Sequence, residues 1–204
     1  MTQSTTTCTA FAGVQRVASG ACADVALAVK QVIERGEQAP VLIFDDVTGQ
    51  PVEFDLRGTP DEVRRRLARE ETGMPESEER TDTSDTGVPR GRGRPKLGVV
   101  AREVTLLPRH WDWLNGRPGG ASVALRKLVE AARLASEDTD RVRQAQEAAY
   151  RFMTALAGNL PGYEEATRAL YAVDAARFAA SIKQWPVDVR EHAAGLASRA
   201  FGAL

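Results

Sequence analysis

The feature that most constrains the fold of this chain is a polar segment near its middle, residues 71–87, with the sequence ETGMPESEERTDTSDTG. Met74 is its one large apolar residue. Such a segment buries too little apolar surface to offset the conformational entropy that is lost on ordering. We therefore expect a disordered acidic linker, which divides the 204 residues into separately folded pieces on either side.

Charges of the two signs are separated along the chain. The formal net charge is only −1 at pH 7, yet acidic side chains concentrate between Glu70 and Asp85, and basic ones between Arg90 and Arg102. Local charge decides which partners a surface attracts. A near-neutral total therefore does not exclude a polyanion such as nucleic acid.

Residues 1–70 predict a small α+β domain with the element order β-α-β-β-α. Its predicted elements are a strand over residues 9–18, a helix over 21–35, a hairpin over 41–44 and 51–56, and a helix that begins at 59–62. The apolar residues of 51–56 alternate with acidic ones, which predicts one inward and one solvated face. Thr59, Pro60 and Glu62 have the spacing of an N-cap, a first helical residue and a capping-box glutamate.

Few residues suit catalysis or metal binding. Asp45 and Asp46 form a carboxylate pair, but the sequence around them is typical of a turn, without a nucleophile, base or phosphate loop. Cys8 and Cys22 lack the spacing of a zinc site, and we expect two small buried side chains in a reducing compartment. His192 lies in a charged helix and is expected to be exposed. The sequence thus predicts no enzyme activity, no cofactor and no metal.

A basic run interrupted by glycine and proline occupies residues 90–96, RGRGRPK. Glycine lets a backbone lie along a narrow groove, and the minor groove of A·T tracts concentrates negative potential. The run resembles an AT-hook, whose core is Gly-Arg-Pro between basic residues, at Arg90, Arg92, Gly93, Arg94, Pro95 and Lys96. The resemblance implies minor-groove binding to A·T-rich DNA. The alternative is a flexible basic arm that contacts phosphates without base preference.

Residues 99–135 combine a β-branched segment over 99–107, a short helix over 108–115, a glycine-rich turn, and a second helix over 121–135. This layout resembles the ribbon–helix–helix family of bacterial regulators, in which two chains pair their strands into a ribbon that enters the major groove. The resemblance implies a homodimer, and a lone strand with unpaired edges is not stable in water. It implies DNA contacts at Arg102, Thr105 and Ser122, and core positions at Leu106, Trp111, Leu114, Leu125, Leu128 and Val129.

Two strand registers and one other architecture stay open. One register turns Arg102, Val104 and Leu106 toward DNA, and the other exposes Thr105 together with Glu103, which phosphate repels. Alternatively, residues 99–135 are a strand and helical hairpin that belong to the C-terminal domain. Arg102 is long enough to reach DNA in either register.

Residues 136–204 predict a helical bundle, with helices over 136–157, 163–171, 174–185 and 186–201. Ribbon–helix–helix regulators commonly append a domain that senses a ligand or assembles dimers, which is the role the resemblance implies here. The layout of the whole chain, above all the segments LLPRHWDWLN and PGGASVALRKLV, also resembles a bacterial domain-of-unknown-function family.

The sequence therefore predicts an α+β protein of four parts: an α+β domain at 1–70, a disordered linker with a basic arm at 71–98, a ribbon–helix–helix-like segment at 99–135 and a bundle at 136–204. With no signal peptide and no apolar run of membrane-spanning length, we expect a cytoplasmic protein. The predicted function is binding of double-stranded DNA as a dimer, in transcriptional regulation or nucleoid organisation. The alternative is a protein–protein adaptor or antitoxin-like partner.

Overall fold

The computed structural model of the chain describes residues 7–72, 100 and 102–202. These residues form a mixed α+β fold that is mostly helical, with one three-stranded antiparallel sheet and seven helices. The elements are β1 (Thr7–Ala12), β2 (Gln15–Ala21), α1 (Cys22–Glu34), β3 (Val41–Asp45), α2 (Pro60–Thr72), α3 (Pro108–Asn115), α4 (Gly120–Ala157), α5 (Tyr163–Tyr171), α6 (Ala175–Ser181) and α7 (Val187–Phe201). They divide into two compact units, Met1–Met74 with Ser136–Leu204, and Pro75–Ala135.

The sheet has the strand order β2-β1-β3, and it begins with a hairpin that the sequence did not predict. The single strand expected over residues 9–18 is wrong, because the chain reverses between β1 and β2. Gly13 adopts φ +58° at this reversal, a conformation that favours glycine, and its N–H donates to the carbonyl of Pro40 at 2.9 Å. The first unit therefore starts β-β-α-β-α instead of β-α-β-β-α.

The hairpin that was predicted over 41–44 and 51–56 is also wrong in its backbone. Beyond β3, pairing is limited to a bridge between Phe44 and Pro51, and residues 52–57 are neither helix nor strand. Pro51 has no N–H to donate, which limits a ladder at this position. Phe54 and Leu56 are nonetheless half-buried and pack against the core, as their alternation with acidic residues predicts.

Side chains of the sheet alternate between two covered faces, as the period of a strand requires. Cys8, Ala10 and Ile43 lie in a cluster with the apolar side of α1. Phe11 and Phe44 lie in a second cluster with residues of α4 to α7. The sheet is thus packed between α1 and the C-terminal helices.

Phe152 of α4 joins the N-terminal and C-terminal parts of this unit in one core. Its ring centroid lies 5.3 Å from that of Phe11 and 5.1 Å from that of Phe44, and all three side chains are fully buried. The segments 1–70 and 136–204, which the sequence pattern separates into two domains, therefore share a hydrophobic core.

Helix α4 runs through the point where the sequence predicted a new helix to begin. Instead of capping a helix start, the hydroxyl of Ser136 donates to the Asp140 carboxylate one turn later, at 2.8 Å. Helices α5 and α7 closely match their predicted bounds, whereas α6 ends at Ser181, four residues before the predicted end. Local pattern thus located these helices but not the continuity of α4.

The predicted start of α2 is confirmed in atomic detail. The backbone N–H of Thr59 donates to Oε2 of Glu62 at 2.7 Å, and the N–H of Glu62 donates to Oγ1 of Thr59 at 3.3 Å. This is the reciprocal arrangement of a capping box. The same hydrogen bonds from Thr59 lower the pKa of Glu62.

Cys8 and Cys22 are buried, as predicted, but they form a disulfide, which the sequence analysis did not expect. The β1–β2 hairpin pairs Cys8 with Gly20, and α1 begins at Cys22 directly afterwards. The two Cα atoms are consequently 5.1 Å apart, a separation that suits a disulfide. The cysteines therefore give no argument for a reducing compartment.

Candidate functional site

The basic run predicted to bind DNA, together with most of the predicted linker, lies outside the described residues. This applies to Arg90, Arg92, Gly93, Arg94, Pro95 and Lys96. The described part of the predicted DNA interface begins at residue 102.

Residues 102–107 lie directly before α3 and are neither helix nor strand. The ribbon strand predicted here is not formed at these residues, and no strand of the described part of the chain pairs with them. Arg102 and Thr105 are exposed and Leu106 is half-buried. Leu107 adopts an extended conformation (φ −66°, ψ 149°) just before the helix.

The two helices of this segment begin close to where the sequence predicts. Pro108 opens α3, and the guanidinium carbon of Arg117 lies 4.0 Å from the ring centroid of Trp113, within the range of a cation–π contact. Gly119 and Gly120 both have positive φ angles, +88° and +74°. These conformations suit glycine and form the turn into α4.

Ser122 is exposed in the first turn of α4, where the sequence predicts a phosphate contact. Its carbonyl accepts from Nε of Arg126 at 3.1 Å, and its hydroxyl contacts Nη2 of the same arginine at 3.5 Å. Arg126 was not predicted from the sequence, although its spacing of four residues from Ser122 indicates such a pair on a helix. The start of α4 thus presents a hydroxyl and a cation together.

The residues predicted as the ribbon–helix–helix core differ in burial within the single chain. Leu114 is buried, and Leu106, Trp111 and Leu125 are half-buried. Leu128 and Val129 are 47% and 65% exposed. The predicted burial of these last two is therefore not observed.

A polar cleft of about 260 Å³ lies within the first unit, between the sheet and α7. It is defined here by Thr9 of β1, Arg16 and Ser19 of β2, Asp46 after β3, and His192 and Arg199 of α7. None of these residues was predicted as a site from the sequence, because they come from distant parts of the chain. The antiparallel register that places Thr9 opposite Ser19 brings the first wall together.

A chain of hydroxyl groups lines one side of the polar cleft. Oγ1 of Thr9 donates to Oδ1 of Asp46 at 2.7 Å, and it lies 2.9 Å from Oγ of Ser19. Because a threonine hydroxyl has one proton, Ser19 is the donor in the second contact.

Asp46 is held at its backbone nitrogen, its backbone oxygen and its carboxylate. Its N–H donates to the carbonyl of Thr7 at 2.9 Å, and its carbonyl accepts from Nη1 of Arg199 at 2.6 Å. Its neighbour Asp45 accepts from the N–H groups of Val47 and Thr48, which confirms the predicted turn role for that residue. The two aspartates therefore differ, since Asp45 caps the turn and Asp46 lines the polar cleft.

His192 corrects another prediction, because it is half-buried rather than exposed. Its ring lies 4.5 Å from the ring of Phe152 and 5.5 Å from that of Phe11, centroid to centroid. Nε2 is buried and has no hydrogen-bond partner among the described residues. Burial lowers the pKa of His192 below its usual 6.5, the cations Arg16 and Arg199 lower it further, and Asp46 opposes them. The imidazole is therefore neutral at pH 7.

Two kinds of feature are absent from the described residues. No group of three or more histidine, cysteine, aspartate or glutamate side chains in that part of the chain is placed to hold a metal ion. Within the same residues, no helix has the length and apolar character needed to cross a membrane.

Comparison with known proteins places the chain in a family. The family described as "Uncharacterized protein conserved in bacteria (DUF2239)" matches residues 7–197, a span that covers most of the first compact unit and all of the second. No curated protein and no solved structure matches the chain. Since the match extends over nearly the whole sequence, the chain belongs to the DUF2239 family of bacterial proteins.

Proposed function

We propose that this protein binds double-stranded DNA as a homodimer, with residues 102–135 of two chains forming the dimer core and the basic run at 90–96 contacting the DNA. The observation that supports dimerisation is the exposed apolar surface of residues 102–135. Its large exposed side chains are Val104, Leu107, Trp113, Leu128, Val129 and Leu134. A surface of this kind marks an interaction site when its members are contiguous.

The occupant we propose for this surface is a second copy of the same segment. Residues 102–107 have no strand partner among the residues that the structure describes. An identical segment related by twofold symmetry would supply one in antiparallel orientation. Leu125, Leu128 and Val129 follow one another at helical spacing, so one face of α4 is available to the same partner.

DNA as the ligand is supported by the charges near this surface. The run RGRGRPK at 90–96 lies shortly before residue 102 in the sequence, and Ser122 with Arg126 lies at the start of α4. Backbone amides, hydroxyls and arginines are the groups that fix a protein on DNA phosphates. A homodimer would carry two basic arms and two copies of residues 102–135, related by a twofold axis. Because a DNA duplex with two half-sites has matching twofold symmetry, this arrangement favours DNA over an acidic protein as the ligand.

The experiment is a binding titration of the purified protein on A·T-rich and G·C-rich duplexes. If five to eight phosphates are neutralised per dimer, log K falls with log salt at a slope of about −5 to −7 between about 50 and 200 mM salt. Absence of binding to either duplex at about 50 mM salt contradicts the proposal. A stable dimer without DNA binding would favour the adaptor function instead.

Two variants separate the parts of the proposed interface. Arg94→Ala is expected to remove the preference for A·T-rich DNA, because the narrow groove concentrates negative potential at the arginine. Ser122→Ala is expected to weaken binding to both duplexes alike. Arg143→Ala is the matched control, since Arg143 forms an exposed ion pair with Asp140 at 3.1 Å in α4 outside residues 102–135. An equal loss in this control would show a general charge effect.

A further inference from the structure

We infer that the polar cleft binds a small zwitterion of the α-amino-acid class, with the ligand's ammonium group on Asp46 and its carboxylate on Arg199. The inference concerns the first compact unit alone and does not depend on DNA binding. It rests on the charges, the fixed geometry and the open wall of the cleft.

Asp46 and Arg199 place opposite charges side by side without neutralising each other. The guanidinium of Arg199 bonds to the backbone carbonyl of Asp46 rather than to its carboxylate. Neither side chain takes part in an ion pair with any other described residue. A ligand that carries one charge of each sign can form an ion pair with both side chains. A simple anion or cation pairs with one of them and leaves the other unpaired.

The charges are held in place before any ligand arrives. Thr9 donates to Oδ1 of Asp46, and this threonine is itself 1% exposed. The Arg199 guanidinium is fixed by its 2.6 Å hydrogen bond. Preorganised groups lose little conformational entropy on binding, which favours a small ligand with few contacts.

Arg16 and Glu191, which also lines the polar cleft, already form an ion pair with each other. Nη2 of Arg16 lies 3.3 Å from Oε2 of Glu191, and the backbone N–H of Arg16 donates to Asp188 at 2.8 Å. They therefore border the cleft as a neutral pair and leave Asp46 and Arg199 as the charges that select a ligand. A volume of about 260 Å³ is below the usual size of a pocket for drug-sized molecules, which starts at about 300 Å³.

Gly195 forms the open wall of the polar cleft. It lies inside α7, where glycine is a poorer helix former than alanine, among several alanines. A Cβ atom at this position would have no heavy atom within 4 Å, so packing in the chain does not require glycine here. A ligand that lies against the backbone of α7 would occupy the space that a side chain at position 195 would fill, which gives a reason for glycine at this position.

The test is calorimetric titration of the full chain, without DNA, with glycine, L-alanine and L-serine. We expect single-site saturation with a dissociation constant of about 1 mM or below. Acetate and methylammonium, which each carry one of the two charges, are expected to bind at least about tenfold more weakly. Failure of all three amino acids to saturate the protein, or acetate binding as tightly as L-serine, would overturn the inference.

Charge-removing variants test the location of the site. Asp46→Asn keeps an acceptor for Thr9, and both it and Arg199→Gln are expected to weaken amino-acid binding about 10- to 100-fold. Asp138→Asn and Arg141→Gln are the matched controls, because these residues form an exposed ion pair at 2.6 Å on α4. Unchanged affinity in both cleft variants would place any binding elsewhere and reject the site.

Gly195→Leu tests the open wall without removing a charge. The leucine side chain is expected to enter the cleft and abolish binding, while circular dichroism shows the same helix content as the wild-type protein. Gly195→Ala is expected to raise the thermal midpoint because alanine favours helix. Full amino-acid affinity in folded Gly195→Leu would contradict the proposed position of the ligand.

Discussion

Residues 7–72 with 136–202 and residues 102–135 differ in how their apolar side chains are covered. The first region contains nearly all the buried apolar residues that the structure describes, including Phe11, Phe44 and Phe152, whereas 102–135 contributes only Leu114 and Ala124. Both regions have helices with apolar faces. Among the described residues, the first region therefore buries its apolar side chains in a shared core, whereas most large apolar side chains of the second region stay exposed.

The largest expected effect is a contrast in stability between an aromatic residue of each region. Phe152→Ala leaves a cavity between Phe11, Phe44 and His192, so we expect a loss of about 3 to 5 kcal/mol in the free energy of unfolding. Trp113→Ala removes a side chain that is 49% exposed and should cost much less in monomeric protein. Urea titrations followed by circular dichroism measure both, and equal losses would break the contrast.

The disulfide is expected to give the next largest effect, and only in the first region. Cys8 and Cys22 close a loop of 14 residues, and a loop of about 15 residues corresponds to about 3 kcal/mol of stabilisation. Reduction of the wild-type protein should lower its denaturation midpoint to that of a Cys8→Ala/Cys22→Ala variant. Mass spectrometry of alkylated protein checks the bond directly, and full labelling of both thiols before reduction would refute it.

A charged substitution in the exposed apolar face of residues 102–135 tests the second region directly. Val129→Glu is expected to weaken self-association at least about tenfold, because an unpaired carboxylate in an apolar interface is costly. Val47→Glu is the matched control in the first region, since Val47 and Val129 are 63% and 65% exposed. Sedimentation equilibrium measures both, and equal dimer affinities in the two variants would exclude Val129 from the interface.

The smallest expected effect is a pH dependence that arises in the first region. The pKa of His192 is lower in the folded chain than its usual 6.5, so protonation favours the unfolded state. The contribution of neutral His192 to the free energy of unfolding is fully present above about pH 6.5, and it decreases as the pH falls toward the folded-state pKa. His192→Phe removes the titrating group but keeps a ring against Phe11 and Phe152.

The measurement is the difference in unfolding free energy between His192→Phe and wild type at each pH, which cancels the groups common to both proteins. This difference should be flat above about pH 6.5 and should shift in favour of the variant at lower pH. A difference that stays constant through the acid range would mean that His192 is not desolvated by the core.

The sequence by itself determined the structures that depend on neighbouring residues. The capping box at Thr59 and Glu62, the proline start of α3 and the turn at Asp45 all follow from contacts within a few residues, and the structure confirms them. The alternation of Phe54 and Leu56 with acidic residues likewise predicted which side chains face the core. Each of these signals acts over a short stretch of chain, so reading neighbouring residues was enough.

Only the tertiary structure decided what depends on residues far apart in sequence. Whether Cys8 meets Cys22 depends on the β1–β2 hairpin, and whether His192 is buried depends on Phe11 and Phe152. The polar cleft needs Thr9, Asp46 and Arg199 to converge from three parts of the chain. Because apolar burial is not directional, a local sequence pattern shows that a side chain is buried but not which distant residues it packs against. Those contacts are fixed only by the packing of the whole fold.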